Sequence, residues 1–153
     1  MYLLDTNVVS ELHRAIRGKG DSQVTAWLAH TGLPACCISA ITLMELEIGL
    51  LRLERRDMAQ AAPLREWLET RVVPEFSGRI LALDEAVARR CATLHVPDPR
   101  PERDAMIAAT ALVHGMTVVT RNTADFEATG VALLNPWQHG TPQEATARYA
   151  KHD

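Results

Sequence analysis

The stretch MYLLDTNVVSEL, residues 1–12, sets a short apolar run, Tyr2, Leu3 and Leu4, directly against an ionisable Asp5, followed by Thr6 and Asn7. The run has the length and character of a buried strand. The residues after it, from near Asn7 through His13, have the pattern of a helix. A strand that passes at once into a helix is the opening of an alternating α/β chain, and Asp5 then stands at the carboxyl end of the first strand. In such folds ligands bind in the crevice beyond those ends. A carboxylate there is either a cap for the following helix or a functional group.

The rest of the chain repeats the alternation. A loop, RGKGDSQ, leads through Asp21 or Ser22 as a cap into the helical QVTAWLAHT. Its Gly18-Lys19-Gly20 lacks the spacing of a phosphate loop and reads as a turn. PACCIS is a second buried strand, with Ser39 placed to cap the long helix AITLMELEIGLLRLERR. Asp57 opens a further helical stretch through PLREWLETRVV, in which Pro63 suits a first turn and would break an interior one. RILAL is the third strand, and Asp84 caps EAVARRCATLHV. After the PDPRP break, where Asp98 with Pro99 is the better cap, ERDAMIAATALVHG is a helix closed by Gly115. TVVT and VALLNP complete five strands. This pattern predicts a parallel sheet covered by helices on both faces. The stretch after Pro136 lacks a strong apolar period and is expected to be partly disordered, with Trp137 anchoring its start.

The bulk properties limit the function classes. The chain has 153 residues, enough for one ordinary domain with a packed core and no staples. Its net charge of −3 gives no bulk positive field for nucleic acid, so such a partner must be engaged locally. Three cysteines, two of them adjacent, have neither disulfide arithmetic nor zinc spacing and fit a reducing, cytoplasmic compartment. No signal segment and no membrane-spanning run is expected.

Three other acids share the character of Asp5. Glu45 lies on the helical AITLMELEIGL with Ile41 and Gly49 one turn to either side, although Glu47 competes with it on periodicity. Asp104 continues the face of Ile107, Ala108, Ala111 and Leu112, or else is a first-turn acid favoured by the helix dipole. Asp125, in TRNTADF, is a turn residue or a fourth member of the group. Four carboxylates in one crevice repel one another and raise their pKa values. A hard divalent cation such as Mg²⁺ or Mn²⁺ resolves the conflict, and it can activate water against a phosphodiester.

YLLDTNVVSEL, ISAITLMELEIGL, RDAMIAATALVHGMTVVTRNTADF and VALLNPW together resemble the PIN-domain family, in particular toxins of the VapC and FitB type. The resemblance covers residues 1–137, leaving 138–153 as a tail. It implies a three-layer α/β/α sandwich around a mostly parallel five-stranded sheet, and Mg²⁺-dependent endoribonuclease activity with Mn²⁺ as a substitute. It further implies a homodimer, or a larger assembly, neutralised by a cognate antitoxin. By position, Asp5, Glu45, Asp104 and Asp125 match the family's catalytic and metal acids, which selects Glu45 over Glu47. Thr6, Asn7, Thr120 and Asn122 match supporting polar residues.

Three rivals remain. A receiver module places its phosphoacceptor on a later strand with acids upstream and a lysine beyond, and this chain has no acid before Asp5 and no lysine between Lys19 and Lys151. A phosphatase with nucleophilic Asp5 would carry an acid where Asn7 stands. A PIN-like module that binds RNA without cutting it keeps the fold and loses the chemistry. Arg52, Arg55 and Arg56 read as a solvated helix end. Arg100, Arg103 and Arg121 read as ion-pair partners or phosphate contacts, and the leucine-rich face LMELEIGLLRLE as core or as a dimer or antitoxin groove.

Overall fold

The computed structural model describes residues 1–138. The tail expected to be disordered lies, from residue 139 on, outside the described residues. Five strands, β1 (Tyr2–Leu4), β2 (Cys36–Ser39), β3 (Ile80–Leu81), β4 (Thr117–Val119) and β5 (Leu133–Leu134), form one sheet in the order β3-β2-β1-β4-β5. Every pairing is parallel, with Leu3 opposite Cys37 and Leu4 opposite Val119.

Side chains alternate across a strand, and here both alternants are buried. Leu4, Cys36, Ile38 and Val119 enter a core beneath α1 (Thr6–Ile16), α2 (Ser22–Thr31) and α4 (Met58–Trp67), where Val8, Val24, Trp27 and Ala61 meet them. Leu3, Cys37 and Val118 enter the opposite core with Ile107, Ala108 and Ala111 of α7 (Glu102–His114). Burial on both faces is why these strands read as continuous apolar runs. Outside α7, α6 (Glu85–Leu94) buries Val87 and Cys91 against Ala105 and Ala109. The result is the expected three-layer sandwich. The long helix α3 (Ala40–Arg56) contributes to both cores, with Ile41 on one side and Leu50 on the other.

Local chemistry sets the helix starts. Asp21, Ser39, Asp57 and Asp84 each accept first-turn backbone N–H groups of the helix that follows. Ser39 is buried, and its hydroxyl serves both Ile41 and Thr42. Ser39→Ala should therefore lower stability by about 1 kcal/mol, measured as a lower urea midpoint at unchanged slope. An unchanged midpoint would show that α3 does not depend on this cap.

Some details depart from expectation. Pro63 lies inside α4 rather than in its first turn. It removes one helical bond, and the carbonyl it strands belongs to the exposed Ala59, which water can satisfy. After Trp67 the chain runs through a wide π-type turn, Leu68–Val72, into the short α5 (Val73–Glu75). Asp98 does not cap α7: the cap position is Pro101, without a side-chain bond, and Glu102 and Asp104 supply the first-turn negative charge. The third strand is shorter than RILAL: only Ile80 and Leu81 pair with β2. The loop glycines are structural: Gly18 has φ +72°, and a Cβ on Gly20 would sit 2.8 Å from the Ala15 backbone.

The three cysteines are free and buried. Among the described residues no helix is long and apolar enough to cross a membrane.

Candidate active site

β1 is the middle strand, and the chain leaves it toward β2 on one side while β4 flanks the other. The carboxyl end of β1 is thus the switch point of the sheet, where an α/β fold opens its crevice. Asp5 sits there, 6 % exposed. Its backbone N–H extends the ladder by donating to the Val119 carbonyl at 2.9 Å, which fixes the residue to the sheet.

Asp5 is both a helix cap and a member of a polar network. Its Oδ1 accepts the Thr6 N–H at 2.8 Å. Its Oδ2 accepts the Thr120 hydroxyl at 2.7 Å and the Asn7 amide at 3.4 Å. Thr120, fully buried just beyond β4, in turn accepts Asn7 Nδ2 at 3.3 Å and the Asn122 N–H at 3.0 Å. Asn7 Oδ1 accepts the Arg121 N–H at 3.3 Å. The DTN opening and the TRN segment, 115 residues apart, are thereby tied around one carboxylate. An ionised carboxylate has about four acceptor sites, so Asp5 retains capacity beyond these bonds.

Glu45 comes from α3, one and a half turns past the Ser39 cap. Its Oε1 accepts the Thr6 hydroxyl at 2.9 Å, and Arg103 of α7 approaches its Oε2 at 3.7 Å. Glu47 faces elsewhere, with Arg65 of α4 donating to both its oxygens at 2.9 and 2.7 Å and also to Glu54 and Glu69. Of the two acids that periodicity left open, Glu45 is the one placed beside Thr6, while Glu47 is engaged by another helix.

Asp104 stands in the first turn of α7, on the face that carries Ile107, Ala108 and Ala111 into the core. Asp125 closes a 3₁₀ turn, Thr123–Asp125, held by the fully buried Phe126 beside it. The charges of the neighbouring acids act on Asp5 and Asp104. Burial pushes the Asp104 carboxyl up to about 6, with Asp5, Asp125 and Glu45 adding to the rise. Asp5 is raised first by burial, against the bonds from Thr120 and Thr6, and then further by Glu45 and Asp125.

All four sequence-selected acids and all four supporting residues thus converge on one crevice. The acids interact through space, and among the described residues no three His, Cys, Asp or Glu side chains are drawn into a closed ligand cluster. Arg103, read in the sequence as an ion-pair partner or a phosphate contact, is a cation facing the site. Arg121 lies 5.3 Å from the Trp137 ring, which packs on the core and anchors the chain's exit. Arg52, Arg55 and Arg56 are exposed, as a solvated helix end should be. Sequence reasoning gave no role to His13 and Trp67, whose rings meet at 5.0 Å beside Thr6 and Glu45 in a shared cavity.

Comparison with known proteins agrees with this fold. The PIN domain family model matches residues 2–131. Toxin FitB of Neisseria gonorrhoeae is 41% identical over 143 residues, covering 90% of this chain and 99% of that protein. VapC ribonuclease Y4jK of Sinorhizobium fredii is 38% identical over 146 residues, with the same coverage. A crystal structure of FitAcB from Neisseria gonorrhoeae superposes with a TM-score of 0.80 at 40% identity, over 90% of this chain and 99% of that one. The chain belongs to the PIN domain family.

Proposed function

We propose that this chain is a metal-dependent endoribonuclease, a toxin held inactive by a cognate antitoxin, with residues 1–137 as its nuclease unit. The observation that carries the reading is the buried Asp5 at the switch point of the sheet, held by Thr6, Asn7 and Thr120, with Glu45 bonded to the same Thr6 and with Asp104 and Asp125 near enough for their charges to act in the same crevice. A relative named a ribonuclease and another named a toxin, each matched over 99% of its length, support the substrate and the biological role.

The donor set fits a hard divalent cation. It consists of carboxylate oxygens, their mutual repulsion is relieved by positive charge, and no thiolate or imidazole competes among them. Asp5, Glu45, Asp104 and Asp125 would hold the ion, Mg²⁺ by preference and Mn²⁺ in its place. When bound, it supplies an activated water and neutralises charge on the phosphodiester.

The chain's own residues do the rest. Thr120, Asn7 and the Thr6 N–H hold Asp5 in one orientation, so the ligand is placed before substrate arrives. Thr6 fixes Glu45 through its hydroxyl. Arg103, directed at Glu45, would present its charge to an incoming phosphate at that side of the site. The acids repel bare RNA, which makes productive binding conditional on the cation.

The homodimer is proposed on Met44 and Leu51 of α3 and Met58 of α4, large apolar side chains 40%, 54% and 63% exposed. The other four leucines of α3, Leu43, Leu46, Leu50 and Leu53, are taken up by the core.

Cleavage of single-stranded RNA by Glu45→Gln and Glu47→Gln, assayed side by side with Mg²⁺, tests the assignment. Glu45→Gln should lose at least about 100-fold, since even outer partners of a metal ligand are worth 10–100-fold. Glu47→Gln should cleave like the wild type. Equal losses would remove Glu45 from the site.

A further inference from the structure

A cavity of about 330 Å³ adjoins the site through Glu45, the one of the four acids that lines it. Thr6 and Glu45 form its end nearest the site, and it runs between α1 and the α3–α4 pair to Trp67. The volume falls in the roughly 300–1,000 Å³ range of small-ligand pockets. Its lining is mostly apolar, through Leu46, Leu50, Leu64 and Leu68, while Ser10 and His13 bring polar atoms to its α1 side. Trp67 closes the far wall and also borders a second cavity of about 400 Å³ that contains none of the acids or their supporting residues. Gly49, one turn beyond Glu45, is an exposed part of the lining. A Cβ built there meets nothing within 4 Å, so the space above Gly49 is open.

The neighbouring charges narrow the occupant. A phosphate would be repelled by Glu45 at the entrance, whereas a flat, neutral group would not. Arg14, part of the lining and held at 3.6 Å from Glu11, is largely exposed, so a cation stands at the solvent side of a mostly apolar cavity. That distribution suits a nucleotide whose base enters and whose backbone stays out. Single-stranded RNA is read in this manner, by unstacked bases on aromatic rings with the backbone following cationic side chains.

We propose that this cavity takes the unstacked nucleobase next to the scissile phosphate, with Trp67 as the stacking wall and Gly49 as the residue that leaves room for it. The assignment rests on the ribonuclease reading and gives it a specificity determinant. His13, edge-on to Trp67 at an interplanar angle of 62°, holds the indole and faces the base edge.

The test measures binding of a labelled eight-nucleotide single-stranded RNA, and of a set bearing one abasic ribose at each position in turn, by fluorescence anisotropy in Ca²⁺ buffer. For the wild type, one abasic position should weaken binding about tenfold, the size of a base–aromatic stack. Gly49→Leu fills the open space with a good helix former and keeps the fold, and it should abolish that single-position penalty. Trp67→Ala should abolish it too, and Trp67→Phe should retain it. A wild type indifferent to every abasic position, or a penalty unchanged in Gly49→Leu, would overturn the proposal. So would a cavity that takes an amphipathic helical peptide in a Gly49-dependent way while ignoring RNA. Cleavage with Mn²⁺ on the same samples separates the two readings: a retained penalty without cleavage refutes the nuclease alone, and cleavage without a penalty refutes the base pocket alone.

Discussion

Asp104→Asn should abolish RNA cleavage and, in the absence of metal, leave a protein more stable than the wild type at pH 7. The loss of activity follows from removing one oxygen ligand, and at least about 100-fold is expected, given that outer partners already cost 10–100-fold. The gain in stability follows from the sign of the titration. The Asp104 carboxyl is pushed from its ordinary 3.8 to about 6 in the folded chain. Between those values the folded state binds a proton that the unfolded state has released, so stability falls as pH rises. The contribution is fully present below about pH 4 and has gone above about pH 6. Asn carries no charge and pays none of this repulsion, so above pH 6 the variant should be ahead by about 1–2 kcal/mol, once solvent screening of a partly exposed carboxylate is allowed for. In a domain of this size that is roughly 2–8 °C. Thermal unfolding in EDTA at pH 4 and pH 7.5 measures it: the two proteins should converge at the lower pH and separate at the higher. A variant less stable than the wild type at pH 7.5 would mean that Asp104 makes favourable contacts that outweigh its repulsion.

Thr120→Val should damage both stability and activity, although Thr120 belongs to the supporting set rather than to the acids. The substitution keeps the shape and removes one hydroxyl. That hydroxyl donates to Asp5 Oδ2 and accepts from Asn7 and from the Asn122 N–H. It is the foremost influence opposing the burial of the Asp5 charge. Without it Asp5 is driven further toward its neutral form and two donors lose an acceptor at a buried position. A loss of roughly 1–3 kcal/mol is expected, with a 10–100-fold fall in metal affinity and cleavage. Thr120→Ser should restore most of both. Full activity in Thr120→Val would show that Asp5 needs no such orientation.

The fold was legible where the information is local. Tyr2–Leu4, the cap at Ser39 and the whole span of Ala40–Arg56 follow from apolar runs and capping chemistry, and the structure has them where those signals lie. Pro63 misled because a local rule met a helix already nucleated by Asp57 and packed through Ala61, where one lost bond on the exposed side is tolerated. Asp98 misled because the helix start was set by Pro101, three residues later.

The gathering of the candidate site was legible for a different reason. Asp5, Glu45, Asp104 and Asp125 stand at strand ends or near helix starts, and alternating topology gathers such positions at one edge of the sheet. What the residues alone left open, Glu45 against Glu47, depends on a contact that no period encodes: Arg65, on the next helix, claims Glu47. The same holds for the cavity between His13 and Trp67, which exists only once α1 and α4 lie side by side. A histidine and a tryptophan 54 positions apart carry no sign of it in the sequence.

The proposed activity requires that the four carboxylates form one cation site that drives hydrolysis. The direct measurement is cleavage of single-stranded RNA by purified protein stripped with EDTA, then titrated with Mn²⁺, with Mn²⁺ binding followed by calorimetry on the same preparation. Cleavage should be absent after stripping and should return in step with occupancy of the site, while Asp5→Asn shows neither binding nor cleavage. Undiminished cleavage in EDTA, or an Asp5→Asn variant that binds and cleaves as the wild type does, would contradict it.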